Sequence, residues 1–267
     1  MNVAGKQVLL AGASGGIGQA IAARLDQAGA LLSLLGRKRD SLEVLNAKLG
    51  GHHCPLAADI GTATGRDAIF AHAGDHGLDA VVMAVGVQSF GLFDQQAESD
   101  IAAMVGTNLL APMLLLHRLL PLLKDRPEAA VVIIGSTFGS IGHPGFTAYC
   151  ASKFGLRGFT EALQRECHDS TVRVSYLAPR ATRTSLNSDA VMALNSALGN
   201  TVDAPEQVAE AVLRVLGTRR HQSFMGGPER LFMRLNSLFP GLVHGALARK
   251  LHIIRQHAGH PDRRHLP

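Results

Sequence analysis

The sequence has 267 residues, of which 46% are hydrophobic and 18% charged, and its net charge is +5. This length and composition predict a globular chain that buries a large core and forms a single domain over residues 1–267. Aromatic residues make up only 4% and tryptophan is absent, which argues against a surface that stacks nucleic-acid bases.

The cysteines and the N-terminal residues indicate a cytoplasmic protein. Cys54, Cys150 and Cys167 are scattered and no C-x-x-C pair occurs, so a disulfide framework is not expected. The first residues lack the pattern of a signal peptide. The longest apolar run, LLAPMLLLHRLL, is interrupted by Pro112 and His117 and is predicted to be too short for a membrane span.

Short apolar runs alternate with longer helical patterns along the chain. Strands are predicted at KQVLLAG (6–12), LLSLLG (31–36), HHCPLAADI (52–60), LDAVVMAVG (78–86), AAVVIIGS (129–136), TVRVSYLAP (171–179) and HQSFMGG (221–227). Helical patterns occupy residues 15–29, 39–50, about 95–124, 147–167 and 205–217. This alternation predicts an α/β fold, a doubly wound parallel sheet of about seven strands with helices on both faces.

A glycine-rich turn, AGASGGIGQ at 11–19, follows the first strand and opens a helix. Gly12, Gly16 and Gly18 allow a tight turn and a close approach of the backbone to a pyrophosphate. The start of the helix presents free N–H groups to the phosphates. Because the glycines stand between a strand and a helix, they predict a dinucleotide-binding site.

The end of the second strand indicates which dinucleotide is bound. In LLGRKRD, Gly36 stands where NAD-binding folds place an acidic residue, and Arg37 follows it. A guanidinium binds a 2′-phosphate, whereas a carboxylate repels it. The residues therefore favour NADP (NADPH) over NAD, the alternative being that Arg37 is a solvated loop side chain.

Four short segments together resemble the short-chain dehydrogenase/reductase family: AGASGGIG at 11–18, Asn108, GS at 135–136 and YCASK at 149–153. The resemblance covers about residues 5–225 and implies a single-domain Rossmann fold. It implies that Asn108 holds a water that relays protons to Lys153, and that Lys153 binds the ribose hydroxyls of the cofactor. The residues that it assigns to cofactor binding are Gly12, Ser14, Gly16, Ile17, Gly18, Arg37, Asp59, Ile60, Tyr149, Lys153, Pro179, Thr182 and Thr184.

The catalytic residues that the resemblance implies are Ser136, Tyr149, Lys153 and Asn108, and their chemistry fits that role. Tyr149 and Lys153 share one helix face at i and i+4. A nearby ammonium is expected to lower the pKa of the phenol, which then exchanges a proton with a carbonyl or alcohol oxygen. Ser136 can hydrogen-bond the same oxygen. Taken singly, each residue also has a structural interpretation, as a turn serine, a helix-interior amide or a surface pair.

The sequence departs from the family at several positions. MAVG at 83–86 stands where the family has NNAG, and Arg180 stands where it prefers glycine. Arg180 either alters the floor of the pocket, with its charge aimed at an anion, or is a surface side chain.

Two segments interrupt the alternation. Residues 181–204 form a long loop of small and polar residues, predicted to carry a short helix and to bind substrate. Residues 228–257 predict an amphipathic extension with apolar positions at 231, 235, 238, 242 and 246, interrupted at Pro240-Gly241. Three interpretations stay open for this extension: packing on its own core or a partner subunit, a lid over an apolar pocket, or peripheral contact with an anionic membrane.

The charge and the histidines of the C-terminal region predict neither nucleic-acid binding nor a metal site. From Arg214 onward ten basic residues face two acids, Glu229 and Asp262, so much of the positive charge belongs to a tail. The histidines at its end lack a chelating spacing on one helix; they are His244, His252, His257, His260 and His265.

The sequence as a whole predicts an NADP-dependent oxidoreductase that interconverts a carbonyl and a secondary alcohol. It is expected to act as a reductase on a small-molecule, lipid-like or acyl substrate. The family resemblance implies a homodimer or homotetramer. The alternative is a non-catalytic NADP-binding sensor or scaffold on the same fold, against which the complete set of proton-transfer residues argues.

Overall fold

The computed structural model describes residues 1–218 and 220–258, so the predictions for Arg219, His260 and His265 lie outside the described residues. Seven strands form one parallel sheet in the order β3-β2-β1-β4-β5-β6-β7. The prediction of a doubly wound parallel sheet is confirmed. The strands are β1 (Gln7–Ala11), β2 (Leu31–Gly36), β3 (Cys54–Ala57), β4 (Ala80–Met83), β5 (Ala129–Ile134), β6 (Val172–Ala178) and β7 (Gln222–Phe224).

Helices follow most of the strands and cover both faces of the sheet. They are α1 (Gly16–Gln27), α2 (Arg39–Lys48), α3 (Ala63–His76), α4 (Glu98–Val105), α5 (Ala111–Lys124), α6 (Thr147–Glu166), α7 (Asp189–Ala197), α8 (Pro205–Leu216), α9 (Gly227–Leu238), α10 (Pro240–Ala248) and α11 (Leu251–Ala258). A π-helical turn, Gly106–Leu110, joins α4 to α5, and short 3-10 turns occupy Phe93–Gln95 and Thr137–Gly139.

The strand order places a crevice at the carboxyl edge of the sheet. β1 pairs with β2 on one side and with β4 on the other, so the loops that leave β1 and β4 diverge to opposite faces. Ligands of open parallel sheets bind at such a switch point.

Alternate residues of the buried strands face two separate cores. Leu10 and Leu34 pack with Ile21 and Val212 beneath α1 and α8, whereas Leu9 belongs to the core of the other face. The helices over that second face are α3, α5 and α6. Because both faces are covered, the strands are continuous apolar runs rather than alternating ones.

The helix from Glu98 to Lys124 corrects the expectation that this region is too short to span a membrane. It runs for 27 residues and is long and apolar enough, by length and composition alone, to cross one. The prolines do not end it, since Pro112 lies in the first turn of α5 and Pro121 is accommodated within it. The inner side of α5 is buried against the sheet, as in a core helix: Leu115, Leu116, Leu119 and Leu123.

The region around β3 also differs from the simple pattern. β3 is an edge strand that begins at Cys54, and an edge tolerates the missing N–H of Pro55. Helix α3, which follows it, is not predicted by apolar periodicity because only Ile69 and Ala73 are buried. Its start is set by Thr62, whose hydroxyl accepts the N–H of Gly65.

The C-terminal extension forms three helices that pack on the same chain. Ile254 of α11 is fully buried with Val191 and Leu194 of α7, and Met233 of α9 packs with Val243 of α10. The short helix predicted within 181–204 is therefore present as α7 and supports the tail. The predicted apolar stripe, however, faces outward at Leu231, Leu238 and Leu242.

Candidate active site

A cavity of about 680 Å³ opens at the carboxyl ends of the strands. One end is walled by the glycine turn and Arg37, and the floor by Ser136, Tyr149 and Lys153. The sequence-predicted residues that line it are Gly16, Ile17, Gly18, Arg37, Ser136, Tyr149, Lys153, Pro179, Thr182 and Thr184. The cavity thus joins residues from five strand ends that are far apart in sequence.

Two glycines of the turn are required by their surroundings. Gly12 has a φ of +84°, and a Cβ there would lie 2.7 Å from the Ala84 carbonyl oxygen. A Cβ on Gly18 would lie 2.0 Å from the Gly12 carbonyl oxygen. Both glycines therefore shape the turn from behind, while Gly16 at the start of α1 packs against Thr184, whose Cγ2 would lie 2.9 Å from a Cβ at Gly16.

The glycine turn meets the end of β2 at one end of the cavity. The Ser14 hydroxyl sits beside Gly36, 3.3 Å from the position a Cβ would take. Arg37 is exposed, lines the cavity and makes no ion pair within the part of the chain that the structure describes. Its guanidinium is thus available to an anion, unlike that of Arg39, which pairs with Glu43 at 3.2 Å.

Tyr176, the second tyrosine, positions the loop that follows β5 and carries Ser136, here called the serine loop. This role of Tyr176 was not predicted from the sequence. Its hydroxyl accepts the N–H of Ser136 at 3.2 Å and lies 3.3 Å from the Ser136 carbonyl oxygen. A side chain on Gly135 would collide with its ring, the Cβ lying 2.0 Å from Cζ. The Gly-Ser pair at the end of β5 and the rarity of tyrosine were the only signals available.

The catalytic candidates converge from three elements. Tyr149 and Lys153 are buried on α6, with the lysine Nζ 5.8 Å from the centre of the tyrosine ring. Lys153 donates to the Ile134 carbonyl at 3.4 Å. The Ser136 hydroxyl, at the end of β5, accepts the Phe138 N–H at 3.1 Å and hydrogen-bonds with Tyr149. The Phe138 N–H occupies one serine lone pair, and the bond with Tyr149 uses either the serine hydrogen or its second lone pair.

Burial dominates the electrostatics of the pair. It raises the pKa of the Tyr149 phenol, and the hydrogen bond with Ser136 opposes this only in part. Burial also lowers the pKa of the Lys153 ammonium to about 8. The expected lowering of the Tyr149 pKa is absent in the protein by itself, because burial outweighs the influences that would lower it. Tyr149 therefore holds its proton at neutral pH.

Asn108 lies behind the cavity, in the π-helical turn, and its side chain is fully buried. Its amide accepts the Val87 N–H at 2.8 Å and donates to the Val87 carbonyl at 2.9 Å and to the Ser152 hydroxyl at 3.0 Å. The amide oxygen and Lys153 Nζ both border Gly86, 3.5 and 3.6 Å from where its Cβ would be. Asn108 thus fixes the loop after β4 beside the lysine.

Asp59 and Ile60 lie in the loop after β3 and do not line the cavity. The Asp59 carboxylate accepts the Gly61 N–H at 2.8 Å, and Ile60 is buried in the core below α3. Gly12, Ser14 and Asn108 also lie behind the cavity wall rather than on it.

Arg180 is held in an ion-pair network. Its guanidinium donates to both Asp203 carboxylate oxygens, at 2.9 and 2.8 Å, and to Glu229 at 3.3 Å. These contacts raise its pKa further, the Asp203 hydrogen bond being the largest cause. Arg180 thus links the 181–204 loop to α9. It lines the cavity, as the interpretation of an altered pocket floor predicts, but its charge is paired with two carboxylates of the same chain.

The far half of the cavity is mostly apolar. Its walls come from the serine loop and the start of α6, from α7 and the residue after it, and from the C-terminal helices. The apolar side chains are Phe138, Ile141, Phe146, Val191, Leu194, Leu198, Phe232 and Leu247. Polar groups also line this half, among them His143 and Lys250. His143 is half-buried, which lowers the pKa of its ring, and its Nδ1 hydrogen-bonds to the Pro144 carbonyl. Lys250 is exposed at the rim.

Comparison with known proteins shows which family the sequence matches. The short chain dehydrogenase family profile matches residues 6–194. A 3-oxoacyl-(acyl-carrier-protein) reductase of Bos taurus is 30% identical over 210 residues, which are 77% of this chain and 88% of that protein.

Solved structures share the fold. A short chain dehydrogenase from Burkholderia cenocepacia in complex with NADP has a TM-score of 0.80 at 18% identity, covering 92% of this chain and 99% of its own. A 3-ketoacyl-(acyl-carrier-protein) reductase from Brucella melitensis with NADH has a TM-score of 0.76 at 23% identity, covering 84% and 97%.

Proposed function

Because the chain belongs to the short-chain dehydrogenase family of nicotinamide-dependent oxidoreductases, we propose that it is an NADPH-dependent reductase of ketone carbonyls on elongated, apolar substrates. The observation that carries this proposal is the meeting of Ser136, Tyr149 and Lys153 on the floor of one cavity whose other end is the glycine turn and Arg37. The first set is suited to proton transfer and the second to a dinucleotide.

The residues present fit an NADP-type cofactor. Gly12 and Gly18 leave no room for side chains within the turn, and this close packing brings the start of α1 to the cavity. Arg37, exposed and without an ion pair in the described part of the chain, fits a 2′-phosphate. When bound, the nicotinamide supplies the hydride that reduces the carbonyl carbon.

The chain's own residues handle the proton. Tyr149 keeps its proton at neutral pH because burial raises the pKa of its phenol, so it is set to donate from Oη to the carbonyl oxygen. The Ser136 hydroxyl donates a hydrogen bond to the same oxygen, and Tyr176 holds the serine in place through its backbone. The Lys153 ammonium favours the phenolate that remains after transfer. This order of events supports reduction as the working direction.

Asn108 contributes through the backbone in this proposal. Its side-chain atoms are occupied by Val87 and Ser152, so a water that relays protons to Lys153 would bind the main chain of the π-helical turn. Such turns shift carbonyl groups out of the regular hydrogen-bonding pattern and often occur at functional sites.

The substrate class follows from the walls of the cavity. Phenylalanine and leucine side chains surround the space beyond Tyr149, which favours an alkyl or acyl chain over a sugar. His143 offers its Nε2 lone pair as a hydrogen-bond acceptor, and Lys250 offers a positive charge at the rim. The relation to a 3-oxoacyl reductase supports the same class.

The function is tested with a panel of ketones, acyl thioesters and steroid-like carbonyls, followed by loss of NADPH absorbance. Tyr149→Phe is expected to reduce turnover about 100- to 10,000-fold, because it removes the proton donor, while NADPH binding is retained. Undiminished turnover in the variant would refute the mechanism. A wild-type protein that binds NADPH but reduces nothing in the panel would support the sensor or scaffold instead.

We also propose that the protein forms a homo-oligomer through the outer face of the long helix 98–124. Val105, Leu110, Met113 and Leu114 are exposed there, and Phe154 of α6 is exposed as well. A group of exposed apolar side chains on one face of a protein often marks an interface with another protein.

The C-terminal helices carry a second exposed apolar surface, for which we propose contact with an anionic membrane. This C-terminal patch consists of Leu231, Leu238, Phe239 and Leu242, each more than half exposed. Five exposed basic residues and no acid occur between residues 230 and 258: Arg230, Arg234, Arg249, Lys250 and Arg255. Basic residues around an apolar patch suit an interface with anionic lipid.

Vesicle co-sedimentation tests the membrane contact. Leu242→Glu is expected to abolish binding to vesicles that contain phosphatidylserine, whereas Val44→Glu, a change at another exposed apolar position on α2, should leave it intact. Binding should weaken as salt rises. Equal sedimentation of both variants would rule out a role for the patch.

A further inference from the structure

Three metal-ligating side chains meet at the amino end of the sheet, away from the cavity. Cys54 is the first residue of β3, and His72 and His76 lie one turn apart at the end of α3. One donor atom of each side chain, the cysteine Sγ and a ring nitrogen of each histidine, lies within 4.8 Å of the others. Histidines at i and i+4 on one helix face form a chelating pair.

Hydrogen bonds leave one nitrogen of each ring available. His76 Nδ1 lies 3.0 Å from the His72 carbonyl oxygen, which can only accept, so Nδ1 carries the hydrogen and Nε2 keeps its lone pair. His72 Nε2 lies 2.8 Å from the Ser33 hydroxyl, and when Nε2 donates there, Nδ1 keeps the lone pair. Ser33 is itself the register partner of Cys54. Metal-binding histidines are normally anchored through the second nitrogen in this way.

The exposure of the group also suits a cation. Cys54 is a free, half-buried thiol and His76 is exposed, so solvent reaches the group. Asp75, exposed between the histidines, adds a negative charge.

A second histidine group on the other face of β3 does not share these properties. Asp26 Oδ1 lies 3.1 Å from His52 Nε2 and 3.2 Å from His53 Nε2. Nδ1 of His53, however, accepts the Leu32 N–H at 3.3 Å, so Nε2 must carry the hydrogen of the neutral ring. That nitrogen faces the carboxylate and has no lone pair for a metal.

We propose that Cys54, His72 and His76 form a binding site for a divalent cation of the zinc class, with water completing the coordination. One thiolate and two imidazoles are the ligands that Zn²⁺ and similar ions prefer. The ion would connect the edge strand β3, which pairs only with β2, to the last turn of α3. The site is independent of the proposed reductase activity.

Cobalt titration of the reduced, full-length protein tests the site, because a cobalt–thiolate bond gives a charge-transfer band in the near ultraviolet. About one cobalt per chain is expected. Cys54→Ser should remove the band, and His76→Gln should weaken cobalt affinity about tenfold or more. His52→Gln removes an exposed histidine from the other group and should change neither.

Thermal unfolding gives a second readout that does not depend on activity. Zinc at about 100 times its Kd should raise the Tm of the wild type by about 5 °C and leave the Tm of Cys54→Ser unchanged. The proposal is overturned if reduced protein shows no cobalt–thiolate band, if the band persists in Cys54→Ser, or if His52→Gln weakens binding as much as His76→Gln.

Discussion

Tyr149, Lys153 and Tyr176 are buried together, and burial disfavours the charged form of each. The phenol of Tyr149 keeps its proton, while the Lys153 ammonium, with a pKa of about 8, is charged at pH 7 but close to its titration. A proton donor beside an ammonium that is still charged at pH 7 suits carbonyl reduction near neutral pH. The residue that limits the pH range is therefore the lysine.

We expect kcat/KM for carbonyl reduction to fall as pH rises through about 8. The pKa of Lys153 is lowered to about 8, so the ammonium is present below that pH and lost above it. A pH profile of kcat/KM, together with NADPH affinity measured by fluorescence, checks this. In the wild type, NADPH affinity should fall over the same pH range. In Lys153→Arg the guanidinium stays charged, and this fall in NADPH affinity should disappear. A fall that persists would assign the inflection to another group.

Arg37→Asp should reverse the cofactor preference. A charge-assisted contact with a 2′-phosphate contributes about 1.5–3 kcal/mol, so NADPH affinity should fall about 10- to 100-fold while NADH affinity is retained or rises. Titration of both cofactors by fluorescence provides the measurement. Arg39→Asp, with the same change of charge two positions away, should have a much smaller effect, and equal losses in both variants would argue against a specific role for Arg37.

At the scale of elements, the site depends on contacts between segments that are distant in sequence. Arg180, after β6, holds Asp203 and Glu229, which lie 23 and 49 positions away. α11 supports α7 through Ile254, and Gln88 after β4 donates to Asn187 at 3.2 Å. The 181–204 segment is thus held over the cavity from both sides.

Arg180→Ala should destabilise this segment. The Asp203 carboxylate is only 4% exposed, and loss of its bidentate partner leaves a buried charge, at a cost of about 3 kcal/mol. We expect Tm to fall by about 6 °C and KM for the carbonyl substrate to rise. Arg183→Ala removes a neighbouring exposed arginine and serves as the control; similar effects in both would show that Arg180 has no special role.

At the scale of the whole molecule, two apolar surfaces remain exposed, and they face different partners in our proposal. The helix 98–124 carries charges of both signs, whereas the Lys and Arg residues of the segment 230–258 around the C-terminal patch have no acidic counterpart in it. The first suits another copy of the chain and the second an anionic lipid surface.

Leu110→Glu should convert the oligomer to a smaller species without a loss of stability. Leu110 is 52% exposed, so the change costs little in the isolated chain, but it places a charge inside the proposed interface. Light scattering coupled to gel filtration measures the mass. Val44→Glu on α2 should leave the mass unchanged, and a wild type that is already monomeric would exclude the interface.

The sequence alone determined the features that depend on local patterns. The seven apolar runs, the glycine turn before α1 and the Tyr-x-x-x-Lys spacing each occupy one short segment, and strand and helix periodicities are local properties. They were sufficient to predict the parallel sheet, now confirmed, and ten of the fifteen site residues nominated from the sequence line the cavity.

Only the tertiary structure decided the features that depend on distant neighbours. The partners of Arg180, the positioning role of Tyr176, the outward direction of Leu231, Leu238 and Leu242, and the meeting of Cys54 with His72 and His76 all join separate segments. The shift of the Tyr149 pKa also depends on the tertiary structure. Its direction is set by how completely the fold buries Tyr149 on α6, and this burial cannot be deduced from the spacing of residues along the chain.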